Sequence, residues 1–179
     1  MMIGSEKAEE QALMNAAYAA CAAARTAPKA RGIDHTDTLI LTGEDKARLA
    51  AEMRKAGEAL GEQGAKVLRD ASNVEASQAV VLVGAKNETR GLNERCQLCG
   101  FSNCTACKDA GANCVFTGID LGIALGSAAS LVTDSRVDTR IMYTIGVAAA
   151  SLGLMGDHKI IMGMPLSVSG KSPYFDRKA

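Results

Sequence analysis

Five of the six cysteines in this 179-residue chain fall within nineteen consecutive positions, as Cys96, Cys99, Cys104, Cys107 and Cys114. Few explanations account for such a density of thiols. The N-terminal residues MMIGSEK lack the basic-then-apolar order of a secretory signal. The chain is therefore expected in the cytoplasm, where thiols stay reduced and a disulfide scaffold does not persist. Metal ligation becomes the leading explanation, because thiolates are soft ligands suited to zinc and to iron-sulfur clusters. Residues 84–118 show little periodicity and hold several Gly and Asn residues. They read as an inserted cluster-binding loop within one domain, 1–179, whose length and 47% hydrophobic content can bury a substantial core.

Spacing narrows the choice of metal. A zinc ribbon separates its CxxC pairs by about 15–20 residues, whereas only four lie between Cys99 and Cys104. A structural zinc site closed by Cys96, Cys99, Cys104 and either Cys107 or Cys114 remains an alternative. Cys99-x4-Cys104-x2-Cys107 copies the first three ligands of a plant-type ferredoxin, but no cysteine lies beyond Cys114 to act as a distant fourth. The bacterial ferredoxin run needs a cysteine at position 102, which is Ser102. What remains is Cys96-x2-Cys99-x4-Cys104 followed by Cys114, a compact set suited to a [4Fe-4S] cluster. Cys107 is then spare, a substitute ligand, or a contact to a second centre. Cys21 lies in an alanine-rich stretch where a thiol behaves as a small apolar residue; its alternative role is as a ligand across an interface.

The rest of the chain supplies the scaffold. Residues 6–25 are alanine-rich and free of Pro and Gly, which favours a helix. Pro28 and Gly32 mark a loop. Residues 38–42 (TLILT), Val67-Leu68, 79–83 (AVVLV) and 159–164 (KIIMGM) read as strands, the last ending at Pro165. A helix follows 43–45 to about Leu60. Asp120 is expected to cap a helix running to about Thr133, and Asp138 to begin another that ends near Gly153. Both are apolar around much of their circumference and need neighbours on several sides, which a subunit interface would supply. The stretch 141–155 is uncharged but shorter than the roughly 18 residues of a membrane span, so no membrane insertion is expected. Twenty basic residues balance twenty acidic ones, so no global field draws the chain to nucleic acid.

Several phrases, ARTAPKARGID (24–34), RDASNV (69–74), CQLCGFSNC (96–104), DLGIALGSA (120–128) and MPLSVSGKSPYFDR (164–177), resemble the ferredoxin-domain family of anaerobes and archaea known as domain of unknown function 2148. The resemblance spans nearly the whole chain. CxxCGFxxC also resembles the cluster motif of the iron-sulfur corrinoid proteins of anaerobic carbon metabolism, in which the fourth cysteine lies farther downstream. These resemblances imply Cys96, Cys99, Cys104 and Cys114 as ligands and a low-potential electron carrier as the function. Outside the cysteines the plan is similar to a reduced nitroreductase. That likeness implies an α+β fold: a nitroreductase-like mixed sheet with packed helices. Nitroreductases bind FMN at a dimer interface. The resemblance places Arg25, Lys29 and Arg31 in a loop like the one that holds the flavin phosphate, although Lys29 and Ala30 replace the usual Ser and Asn.

Other signals carry less. Ser169-Gly170-Lys171-Ser172 lacks the glycine a phosphate loop needs five positions before Gly170, since Pro165 stands there. His35 and His158 are flanked by aspartates and have no second histidine at metal spacing. Gly118, Gly122 and Gly126, spaced by four, read as close packing in the core or as an oligomer contact. No nucleophile and base can be paired. Three readings follow: an electron carrier between redox donor and acceptor proteins, which is favoured; a reductase in which the cluster feeds a flavin; and a structural zinc module.

Overall fold

The computed structural model describes residues 1–175. In chain order it contains α1 (Ser5–Thr26), β1 (Thr36–Leu41), α2 (Gly43–Ala59), α3 (Ala65–Ala76), β2 (Ala79–Ala85), α4 (Cys104–Asp109), α5 (Val115–Asp134), β3 (Asp138–Thr139), α6 (Tyr143–Ser151) and β4 (Ile160–Ser167). The strands form one sheet in the order β1-β2-β4-β3. All three pairings are antiparallel. The expected mixed sheet is thereby corrected to an antiparallel one, within the nitroreductase-like α+β class, and the connections give the reason. Leu41, the end of β1, pairs with Val80 at the start of β2. The two helices between them make two traverses and return the chain to the end of the sheet it left.

Period-two alternation sends the residues of β2 to opposite faces. Val81 and Val83, with Met164 and Leu166 of β4, pack under α1 and α5. Val80 and Leu82 pack against α2, α3 and α6. Because helices cover both faces, β2 is buried at every position, and the AVVLV run needs no polar residue. Each such Val or Leu contributes about 1.5–3 kcal/mol relative to leaving it in water. Helix α1 presents Ala16, Ala17, Ala20 and Ala24 to Ala124 and Ala128 of α5, so small residues set a close helix pairing. On the other face α6 lies directly on the sheet. A Cβ at Gly146 would fall 1.6 Å from the Ile161 carbonyl oxygen, and one at Gly163 would fall 2.0 Å from Ile145.

Several expectations are corrected. Val67-Leu68 lies in α3, whose buried Asp70, Ala71 and Val74 follow helical spacing; two adjacent apolar residues do not distinguish the two periods. Asp138 pairs with Ser167 in β3, and α6 starts at Tyr143, after Met142 has bridged to Gly163. β4 continues through Pro165 to Ser167. Gly163 exchanges both backbone bonds with Met142, so Pro165, two residues on, turns its missing N–H to the same edge, where the ladder is interrupted between Thr139 and Met142. Asp120 is not a cap but lies in the interior of α5. A Cβ added at Gly118, Gly122 or Gly126 would meet nothing within 4 Å, so these glycines face open space, not the core. Among the described residues α5 is the one helix long and apolar enough to cross a membrane by length and composition. Here it packs on α1 and the sheet as a core helix. The last residues of the 164–177 phrase, and of the expected 1–179 domain, lie outside the described residues.

Candidate metal centre

The chain leaves the sheet after Ala85 and rejoins the helical layer at Val115. Between them the backbone reverses repeatedly, with Gly91, Asn93, Gln97, Gly100 and Gly111 all at positive φ. Gly100 N–H donates to the Gln97 carbonyl at 2.9 Å, closing a turn between Cys96 and Cys99. Gln97 stands at φ 51°, a region uncommon for a side chain of its size and one that gathers at ligand-holding loops. Asn103 caps α4, its Oδ1 accepting from the Ala106 N–H at 2.9 Å. The cap starts a helix with Cys104 first and Cys107 three residues on, which sets both thiols on one face. Cys114 occupies the N-cap of α5. Its N–H donates to Asn87 Oδ1 at 3.0 Å, and Asn87 Nδ2 donates to the Ala112 carbonyl at 2.9 Å. Asn87 thus clamps the last thiol to the end of β2.

All five clustered cysteines line one cavity, together with Arg90. Cys107 is the most buried of them, at 1% exposure. Burial raises its thiol pKa, and a hydrogen bond with Cys99 and the charges of Cys99, Cys114 and Cys104 raise it further. Cys107 is therefore within electrostatic reach of Cys99, Cys104 and Cys114, and Cys96 completes the lining. The Asn93 N–H donates to Cys104 Sγ at 3.3 Å, and the Cys107 thiol faces the Ala112 carbonyl at 3.8 Å. Among the described residues no three Cys, His, Asp or Glu side chains are drawn onto a single ion position; the sulfurs surround a space. This donor set, soft and spread around a cavity with a backbone amide on one sulfur, fits an iron-sulfur cluster. Cys21 lies on α1, packed against the core under that helix, and does not line the cavity.

The wall beside the thiols is charged. Arg90 and Asp120 form an ion pair at 2.7 Å with each side chain 2% exposed. Arg90 Nη1 donates to the Glu88 carbonyl, while Asp120 Oδ1 accepts the Ala30 N–H at 2.9 Å. Arg31 donates to the Arg90 carbonyl at 2.6 Å. Sequence reading missed Asn87, Arg90 and Asp120 as site residues. The available signal was Asp120 itself, the single charge in the otherwise uncharged stretch 115–133.

The three basic residues expected at a flavin phosphate are engaged within the chain. Arg25 pairs with Asp34 at 2.9 Å and with Asp37 at 2.8 Å. The Lys29 side chain is buried and closes the end of α1 by donating to the Ala24 and Arg25 carbonyls. Arg31 reaches the cavity wall. Burial pushes the Asp34 carboxyl up, but hydrogen bonds from Thr36 and Arg25 and the charge of Lys29 outweigh it and hold the pKa at about 2. His35 contributes its backbone carbonyl, which accepts the Lys86 N–H at 3.0 Å beside β1 and β2. His158 Nε2 lies 2.9 Å from Asp37 and its Nδ1 faces the Met155 carbonyl, so this ring fastens the loop before β4 to β1.

A family model described as uncharacterized proteins containing a ferredoxin domain, domain of unknown function 2148, matches residues 110–177. An uncharacterized protein of Archaeoglobus fulgidus is 44% identical over 187 aligned positions, covering 99% of this chain and 98% of that one. The chain belongs to this ferredoxin-domain family. The family match contains only Cys114 of the five clustered thiols, whereas the alignment with the archaeal relative covers 99% of this chain. Its fold is that of the nitroreductases. The FMN and NADPH-dependent nitroreductase NfnB of Sphigopyxis sp. strain HMH superposes with a TM-score of 0.60 at 11% identity, covering 90% of this chain and 82% of that one. Nitroreductase CinD of Lactococcus lactis, in complex with chloramphenicol, gives 0.58 at 15% identity and 91% and 80% coverage. A BluB-like flavoprotein of Clostridium difficile 630 gives 0.58 at 14% identity, with 100% and 85% covered.

Proposed function

We propose that this protein is an iron-sulfur electron-transfer protein of anaerobic redox metabolism, working in the cytoplasm with a [4Fe-4S] cluster held by the thiols of residues 96–114. The observation that carries this reading is the convergence of five cysteines on one cavity. When bound, such a group supplies one-electron transfer at a potential set by burial and by hydrogen bonds to sulfur. The chain's own residues supply the rest. Cys99 and Cys104 belong to every ligand set that the spacing supports, and in this reading Cys114, at the N-cap of α5, is the third. The fourth place lies between Cys96, favoured by the CxxC spacing and the family resemblance, and Cys107, buried among the other three. The Asn93 amide donates to the Cys104 sulfur, and Asn103 and Asn87 fix the positions of Cys104, Cys107 and Cys114.

The partners are a redox donor and a redox acceptor protein, together with a second copy of this chain. Support for the second copy is the open face of α5, where Gly118, Gly122 and Gly126 alternate with Ile119 and Ile123, each of these isoleucines 42% exposed. An uncharged small-residue face meets its own copy without stranding a charge. A second reading, a flavin-dependent reductase fed by the cluster, is favoured by the nitroreductase-like fold alone. Anaerobic purification and a visible spectrum test the proposal. A broad brown absorbance that bleaches on reduction and disappears in Cys99→Ser supports the cluster; a yellow extractable chromophore supports the reductase; a colourless protein with bound zinc refutes both. Separate Cys96→Ser and Cys107→Ser variants assign the fourth ligand, since only one should lose iron.

A further inference from the structure

Arg90 and Asp120 have side chains buried to the same extent and hydrogen-bond to each other and to backbone. Nε and Nη2 of Arg90 donate to Asp120 Oδ2 at 3.2 and 2.7 Å, Nη1 takes the Glu88 carbonyl, and Asp120 Oδ1 takes the Ala30 amide. An ion pair this deep contributes little to stability, because desolvating two charges offsets most of their attraction and well-packed apolar residues often serve as well. Its placement points elsewhere. Arg90 is part of the wall of the cysteine cavity, and Asp120 stands behind it on α5, outside that wall. The pair joins a residue that lines the cavity to one that does not, and it is held from both sides: Arg31 donates to the Arg90 carbonyl and the Ala30 N–H donates to Asp120. Reduction adds one negative charge to the cavity, and in a buried setting a cation at its wall favours that charge far more than it would in water.

We propose that Arg90 and Asp120 are positioning residues that set the reduction potential of the centre held by the five thiols. This inference rests on the iron-sulfur reading. Arg90 holds the potential up by offsetting the charge gained on reduction, and Asp120 moderates that effect while fixing the guanidinium in place. A residue of purely structural importance would perturb the potential without regard to sign. Here the sign is determined.

The test is a redox titration of the anaerobically purified full chain, with iron and sulfide measured on each sample. Arg90→Gln should shift the midpoint down, Asp120→Asn should shift it up, and Arg90→Lys, which keeps the charge, should stay nearer wild type than Arg90→Gln. Shifts in the same direction, or no shift in either at unchanged iron and sulfide, overturn the proposal. If Arg90→Gln fails to fold, the near-isosteric Asp120→Asn decides alone: an unmoved or lowered midpoint overturns it. Wild-type protein without iron and sulfide overturns the cluster reading itself, which separates the two failures.

Discussion

Asn87 is the side chain through which the sheet reaches the metal-binding segment, and its removal has a calculable effect. Asn87→Ala strands the Cys114 N–H and the Ala112 carbonyl, bonded at 3.0 and 2.9 Å, and frees the weaker Thr117 hydroxyl contact at 3.4 Å. A hydrogen bond contributes about 0.5–1.5 kcal/mol net, and stranding its buried partner costs about 1–3 kcal/mol. Water reaches part of this site, so we expect a loss of about 2 kcal/mol. For a chain of this size that lowers Tm by roughly 4–8 °C. Asn87→Asp keeps the acceptor for Cys114 and loses only the donor to Ala112, so it should lose less. Thermal unfolding of both variants without metal gives the stability term, and iron per chain after reconstitution gives the functional one. Cys114 held loosely should lower iron retention in Asn87→Ala. A Tm within about 1 °C of wild type, or a larger loss in Asn87→Asp than in Asn87→Ala, would refute the clamp.

Three further outcomes follow from other parts of the molecule. Gly146→Ala drives a methyl into the Ile161 carbonyl and should destabilise by about 1–3 kcal/mol, measured by urea unfolding; a neutral result would mean that α6 does not rest on β4. The Asp34 pKa is held at about 2, below its unfolded value, so its contribution is present above about pH 4 and lost as pH falls toward 2. Urea midpoints against pH should show a shallower acid limb in Asp34→Asn than in wild type, and parallel limbs would discount the Arg25, Lys29 and Thr36 contacts. If a second copy docks on the open face of α5, Gly122→Leu there should lower the mass in sedimentation to that of the monomer with the fold intact; an unchanged mass would refute docking at that face.

What the sequence revealed and what it concealed divide along physical lines. Residues 79–83 were legible as a strand because burial on both faces removes every polar residue from a run too short for a helix. The N-terminal helix was legible from alanine content and the absence of proline and glycine. Val67-Leu68 was not, because two apolar residues fit either period, and α3 is fixed by its packing on α2 and the sheet. Pro165 read as a strand end because its place at an interrupted edge is a property of neighbours far along the chain. The cysteines announced a metal site by density, and their convergence on one cavity follows from turns with glycine and asparagine at positive φ. Their order within the site was less legible: spacing left Cys107 over, whereas the structure buries it among Cys99, Cys104 and Cys114. Arg90 and Asp120 are thirty residues apart, and only the return of α5 alongside the loop brings them together.

Whether the thiols of residues 96–114 hold an iron-sulfur centre is decided by a quantitative count of iron, acid-labile sulfide and zinc on protein purified without oxygen. About four irons and about four sulfides per chain are expected, as a [4Fe-4S] centre requires, with zinc at background. Stoichiometric zinc without sulfide would contradict it.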